Sequence, residues 1–354
     1  MPISNYVRGW LFLIPLVPSV LIATFNLYHL VTDRALRAGL HNHVIMLLLF
    51  YGLVEMLTDI VWQIVQYHTG LALSSTPAFC QAWIYFAAVI FITIYILMAW
   101  AAIERHILVF HPRLLQGKIK RFCFHYIPLG ICIVYPQLFY NTMLFIVPCS
   151  VPYSYNRRYC NQYICIVSTA WVSLWDSTVH YILPAFTTVT FSVALFIRVL
   201  HRRYTARGQI DWRNYKKLAF QLLPISFLYM VLQLPPMILY AAYSAGLSRT
   251  VASSYYSDAN FFSYWTVLLT PFASVMSLPD LKGKCSRFLF WRKKCVVQPT
   301  ADVTRHHANQ HRLTKKVAEK VDQSKVITKG DERVIERTAV NQPLGDTTIS
   351  QNVN

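Results

Sequence analysis

The stretch MAWAAIERHILVFHP, Met98 to Pro112, decides the fold. Behind it lie 24 residues, Cys80 to Ile103, without one Asp, Glu, Lys or Arg. A helix on the surface of a soluble protein repeats charge every few residues. Here charge arrives once, as Glu104-Arg105-His106, at the end of a run long enough for lipid. The hydrocarbon core of a bilayer is about 30 Å thick and takes about 20 apolar residues of helix to cross. Pro112 then closes the segment, because the residue before proline is pushed out of helical geometry.

The whole chain has the same texture. Only 14% of its 354 residues are charged and 55% are hydrophobic, against about 25% charged in soluble domains. Seven apolar segments stand out, at 8–31, 43–66, 80–108, 122–147, 168–200, 217–242 and 259–281. The first run is too long for the core of a signal peptide and reads as a span. The expected fold is therefore an all-α membrane protein, a seven-transmembrane helix bundle over 8–281. A short N-terminus, 1–7, precedes it. Residues 282–294 alternate apolar and basic positions, which predicts a short amphipathic helix on the inner leaflet. Residues 295–354, charged and nearly free of aromatics, predict a disordered tail.

The net charge of +18 sits in the links between spans, which argues against nucleic acid and for topology. Arg34 and Arg37 share a side with Arg113, Lys118, Lys120 and Arg121. On the same side fall Arg202, Arg203, Arg207, Arg213, Lys216 and Lys217, and then Lys282, Lys284, Arg287 and Arg292. The other side has Arg8, Arg157, Arg158 and Arg249. The positive-inside rule puts the rich side in the cytoplasm. The expectation is a multi-pass plasma-membrane protein with its N-terminus extracellular and its C-terminus cytoplasmic. Sidedness and span count agree on an odd number of crossings.

Of eight cysteines, Cys80, Cys149, Cys160 and Cys165 fall on the outer, oxidising side. Four cysteines allow three pairings. Cys80–Cys165 with Cys149–Cys160 is favoured here, and Cys80–Cys160 follows it. Cys123 and Cys132 read as small buried hydrophobes. Cys285 and Cys295, beside the inner leaflet, suit palmitoylation.

Seven spans, an outer N-terminus, a cysteine opening span three and Glu104-Arg105-His106 closing it resemble the rhodopsin-like (class A) G-protein-coupled receptors. The twenty-five residues from Cys80 to Arg105 fit that family's spacing. Asn26 suits its polar position in span one, Pro184 the proline of span five and Pro235 that of span six. Thr270-Pro271-Phe272-Ala273-Ser274 suits its span-seven motif. The chain departs from the pattern at Thr270, where the family has Asn, and at Ser274, where it has Tyr. Gln233 replaces the toggle Trp, and Gly52 stands about where span two has Asp. The resemblance is thus to a divergent branch. It implies that Glu104 restrains Arg105 at rest, that Arg105 docks a heterotrimeric G protein with His106 beside it, and that Pro184, Gln233, Pro235, Thr270, Pro271 and Ser274 form the bending and switching elements. It also implies a small-molecule or peptide ligand among the outer halves of the spans. Arrestin is an expected partner of Ser and Thr residues in the tail.

The ligand-pocket candidates are the buried acids and the aromatics near them. Glu55 and Asp59 are four apart, hence on one face of span two. Asp176 lies near Trp171, Trp175 and His180, and an acid among aromatics could host a cation. Ala87 stands where the family's amine receptors carry an acid, which argues against an ordinary monoamine. Span seven has no Lys before Lys282, which argues against a retinal Schiff base. No cofactor, metal site or catalytic motif is expected. The competing readings are a transporter or channel, and a receptor-like protein that no longer signals.

Overall fold

A computed structural model describes residues 3–148, 151–205 and 212–275. The chain's contacts divide it at Cys285, and the second unit, Ser286–Asn354, falls wholly outside the described residues. The expected interfacial helix and tail, with Cys285 and Cys295, therefore lie outside them, as does Cys149.

Eight helices carry the architecture. They are α1 (Asn5–Thr32), α2 (Leu40–Thr69), α3 (Pro77–Phe110), α4 (Lys118–Ile146), α5 (170–205), α6 (Trp212–Ser244), α7 (Ser253–Ser263) and α8 (Trp265–Val275). No strand occurs among the described residues. Six of these helices, α1 to α6, are long and apolar enough to cross a membrane. Their outward faces agree: α1 exposes Ile14, Val17 and Leu21, and α4 exposes Ile131, Val134 and Leu138. Such stripes, three and four residues apart, suit lipid and not water. The chain is a multi-pass membrane protein. The seventh expected segment is two shorter helices meeting at Tyr264.

The central helix is α3. In its most apolar window 72% of residues are buried against other helices, compared with 22–50% in the other five. Thr76 caps its start, accepting a hydrogen bond from the Phe79 amide, and Pro77 occupies the first turn, where its missing N–H costs nothing. Its end is the one expected: the helix stops at Phe110, and His111 turns aside (φ −130°, ψ 50°) before Pro112. Around α3 pack α2, α4 and α5; α6 joins α5 to α7 and α8, and α8 closes the ring on α1.

Several helices carry wide turns of the i→i+5 type. Those at Phe122–Tyr126 in α4 and Asp176–Ile182 in α5 run directly into Pro128 and Pro184. A proline offers no N–H to the carbonyl four residues back and crowds it. Widening the preceding turn relieves that crowding. Polar ties then join the helices. Asn26 Nδ2 donates to the Pro271 carbonyl and to Ser274 Oγ, both at 2.8 Å, and Ser19 Oγ donates to the Leu268 carbonyl at 2.8 Å. These bonds pin α8 to α1. Arg8 adds an ion pair to Asp258 at 2.6 Å.

The disulfide corrects the favoured pairing. Cys80 is joined to Cys160, not to Cys165. Cys165 is also disulfide-bonded, to a cysteine outside the described residues. The reason is backbone geometry. Tyr159, Cys160 and Asn161 have φ of 53°, 51° and 69°, three consecutive left-handed residues that coil the loop toward the start of α3. Non-glycine residues pay about 1–2 kcal/mol each for that conformation. The disulfide and the packing of Tyr159 on Trp83 hold it. Cys123 is exposed and Cys132 buried, both as free thiols. Proteolysis without reductant, followed by mass spectrometry, is expected to recover the Cys80 peptide linked to the Cys160 peptide; a Cys80–Cys165 link would contradict the fold.

Candidate functional site

Between α3, the loop that carries Cys160, and α5 to α7 lies a cavity of about 400 Å³ at the disulfide end of the bundle. Its α3 wall is Ile84, Ala87, Ala88 and Phe91, and Met237 of α6 adds to the apolar surface. The loop supplies Arg158, Tyr159 and Asn161, while Tyr181, Tyr240, Tyr256 and Tyr264 come from the helices. The volume falls within the range of small-molecule sites, which are mostly apolar with a few polar anchors.

Tyr264 stands at the break between α7 and α8. Its ring stacks on Phe91, with centroids 4.9 Å apart, and its hydroxyl bonds the Tyr159 hydroxyl at 2.8 Å. The break is steadied by Gln233 of α6, whose Nε2 donates to the Ser263 carbonyl at 2.9 Å and to Thr266 Oγ1 at 2.8 Å. Where the resembled family has an indole, this chain has an amide that answers a carbonyl freed by the break. Thr270 donates back to the Thr266 carbonyl, and Ser274 to that of Pro271, so neither hydroxyl is idle. A small void of about 10 Å³ beside Gly52, where the family's span-two acid would stand, is lined by Leu48, Met56, Val267 and Thr270 among others, with no carboxylate.

Of the sequence candidates for the ligand pocket, only Ala87 lines the cavity. Trp171 and Trp175 face outward, 64% and 48% exposed. Asp176 is buried, but its carboxylate is already engaged by four groups. Tyr140 donates to Oδ1 at 2.5 Å, and His180 Nδ1 meets the same oxygen at 2.8 Å. Tyr240 and Tyr163 donate to Oδ2 at 3.1 and 3.4 Å. His180 Nε2 continues to Tyr135 at 2.9 Å, and Tyr135 takes the Trp175 indole N–H at 3.0 Å. The acid read as a cation host is thus a knot tying α4, α5, α6 and the loop. Asp59 is similar: Trp83 Nε1 and Gln63 Nε2 each donate to it at 2.6 Å. The Glu55 carboxyl, buried one turn away, accepts no hydrogen bond.

At the opposite end Glu104 and Arg105 are both buried. Glu104 attracts the Arg105 charge, and its hydrogen bond goes to another helix. Neighbouring helix positions point about 100° apart. Glu104 turns to α4 and bonds His125 Nδ1. His125 Nε2 meets His43 Nδ1 at 2.9 Å, and His43 Nε2 meets the Arg37 carbonyl at 3.0 Å. Three bonds in series need three hydrogens. A carboxylate with one imidazolium supplies them, and so does a carboxylic acid with two neutral imidazoles. The relay is neutral overall in either form and ties α2, α3 and α4 together. His106 leaves this group and meets Arg198 of α5 at 2.8 Å.

The sequence reading missed Tyr140, Tyr163, Tyr240 and Arg158, and the histidines at 43 and 125. A faint signal existed: 22 tyrosines concentrate in the second half of the bundle, and His43 and His125 fall at the same end of two adjacent spans. No protein-family model matches the chain, and no curated protein is significantly similar to it.

The Asp176 knot yields a prediction. Asp176→Leu strands four donors and is expected to cost roughly 3 kcal/mol or more, read as a large fall in the thermal midpoint of detergent-solubilised protein. Unchanged stability, with loss of affinity for cationic ligands alone, would return Asp176 to the role of a ligand's counter-ion.

Proposed function

We propose that the chain is a divergent rhodopsin-like receptor. It binds an extracellular ligand in the cavity under the disulfide-tied loop and activates a heterotrimeric G protein at the Arg105 end. The observation that carries this reading is the placement of two sites on one central helix. Ala87 and Phe91 line the cavity, and Arg105 lies buried near the far end of the same helix. The separation from Ala87 to Arg105 is 18 residues, about 27 Å along a helix axis, close to the thickness of a bilayer core.

The reading needs seven crossings. The pair α7 and α8 spans 253–275, about 34 Å at 1.5 Å per residue. No charged residue follows Asp258 in it. Its break at Tyr264 costs backbone bonds that Gln233 and Thr266 replace from within the bundle, the condition under which a membrane helix tolerates interruption. The basic links then fall in the cytoplasm and the N-terminus outside.

Signalling requires a ligand that binds one conformation better than the other. The elements that touch the cavity are also those that bend. Tyr264 is both a lining residue and the break in the α7–α8 pair, Gln233 bonds that break from α6, and Pro235, two residues further along α6, removes a backbone bond. A ligand that presses on Tyr264 or Met237 changes the register of α6 against α8. At the inner end, outward movement of α6 exposes Arg105 for docking. Glu104 holds the resting state by fastening α3 to α4 through His125 while its charge attracts Arg105.

In cells displaying this chain with a promiscuous G protein, Arg105→Ala is expected to abolish ligand response while surface display stays normal; a preserved response overturns the coupling role. Glu104→Gln and His125→Phe are each expected to raise ligand-free nucleotide exchange several-fold, and the double variant to match the singles. Additive effects would mean that the two residues act apart.

A further inference from the structure

The charges around the cavity are unequal. Its lining includes two cations, Arg158 and Arg249, and no Asp, Glu or Lys. Glu55 and Asp59 feel the Arg158 charge from span two, but neither lines the cavity, and the other acids nearby are engaged by their own partners. Asp176 is held by three tyrosines and His180, Asp59 by Trp83 and Gln63, and Asp258 by Arg8. Asp59 attracts Arg158, but among the described residues no carboxylate forms an ion pair with it.

Arg158 itself is short of partners. Its guanidinium lies over the rings of Tyr159 and Tyr264, 4.8 and 4.9 Å from their centroids. Stacking offsets part of the cost of drawing the cation out of water. It leaves the N–H groups unanswered: Nε and Nη2 are buried without an acceptor. Arg does not shed its charge, and a planar fork of donors is satisfied best by a carboxylate. Apart from the two arginines the polar surface is uncharged, and Asn161, Asn260 and Ser253 can each donate. Burial holds the Tyr159 and Tyr163 hydroxyls above the ordinary phenol range, with Arg158 drawing Tyr159 partly back, so both stay protonated. Arg249 is exposed, placed to draw an anion toward the cavity from solution. Opposite the loop, Ile84, Phe91 and Met237 offer an apolar bed.

We infer that the cavity takes a small amphipathic carboxylate, its acid group on Arg158 and its apolar body against Phe91 and Met237. This rests on the cavity being the ligand site proposed above. Charge selects the ligand: the neutral ester loses the ionic hydrogen bonds, and an amine meets like charge. Hydrogen bonds to charged groups contribute roughly 1.5–3 kcal/mol, so acid and ester are expected to differ by about tenfold or more in Kd.

The test uses the full chain purified into lipid nanodiscs, with indole-3-acetate, its methyl ester and tryptamine as probes, and 4-phenylbutyrate with its ester as a second pair. Direct binding is read by saturation-transfer resonance and by thermal midpoint. The acids are expected to bind about tenfold or more tightly than the esters, and tryptamine not at all. Arg158→Gln is expected to bring the acids to the level of the esters, and Arg158→Lys to keep part of the preference. An intact Cys80–Cys160 link and a monodisperse profile certify that the variants fold. Equal binding of acid and ester to the unaltered chain overturns the inference, as does tighter binding of tryptamine, absence of binding by both acids, or full acid binding by folded Arg158→Gln. Nucleotide exchange on an added G protein separates the two readings. Acid binding without exchange removes the receptor role and leaves the ligand class; exchange driven by tryptamine or an ester alone does the reverse.

Discussion

A polar atom inside a membrane bundle has no water to fall back on and must be answered by another part of the same chain. That constraint organises this protein more than apolar packing does, since lipid tails are as greasy as the helix faces they touch. The chain meets it with a few knots, each drawing on several helices. Asp176 gathers α4, α5, α6 and a loop. Asp59 binds α2 to α3 through Trp83. Gln233 fastens α6 to the break at Tyr264. Asn26 and Ser19 close the ring from α1 to α8. Glu104, His125 and His43 join α2, α3 and α4. Each interhelical hydrogen bond contributes only about 0.6 kcal/mol on average. Their number and their placement at the two ends of α3 matter more than any one of them.

Much of the fold was legible because lipid imposes a long, simple signature. The uncharged run from Cys80 to Ile103 announces α3, and Pro112 ends it where a proline must. Six of the seven expected segments are helices long and apolar enough to cross. The break at Tyr264 left no mark, since neither Gly nor Pro stands there and no charge interrupts the run from 259 to 275. The wide turns before Pro128 and Pro184 were equally silent: a proline tells of a lost bond but not of how the helix absorbs the loss.

The site was less legible, for a physical reason. Partners in a knot are remote in sequence. Asp176 meets Tyr140, 36 residues before it, and Tyr240, 64 residues after it. From sequence an acid near Trp171 and Trp175 invites a cation, yet those indoles face away from the cavity and the acid is saturated by phenols. Glu104 has a second partner that its place in the chain did not announce. Its neighbour in the chain is Arg105, but a helix turns adjacent side chains apart and presents Glu104 to His125. The cysteine pairing turned on three left-handed residues, a conformation that Tyr159, Cys160 and Asn161 do not advertise.

The account stands on a chain that crosses the bilayer an odd number of times, so that the cavity and Arg105 face opposite compartments. Epitopes placed before residue 1 and after residue 354, stained on intact and then on permeabilised cells, test this most directly. The account predicts that the N-terminal epitope stains on intact cells and the C-terminal one only after permeabilisation. Staining of both on intact cells, or of neither, would contradict it.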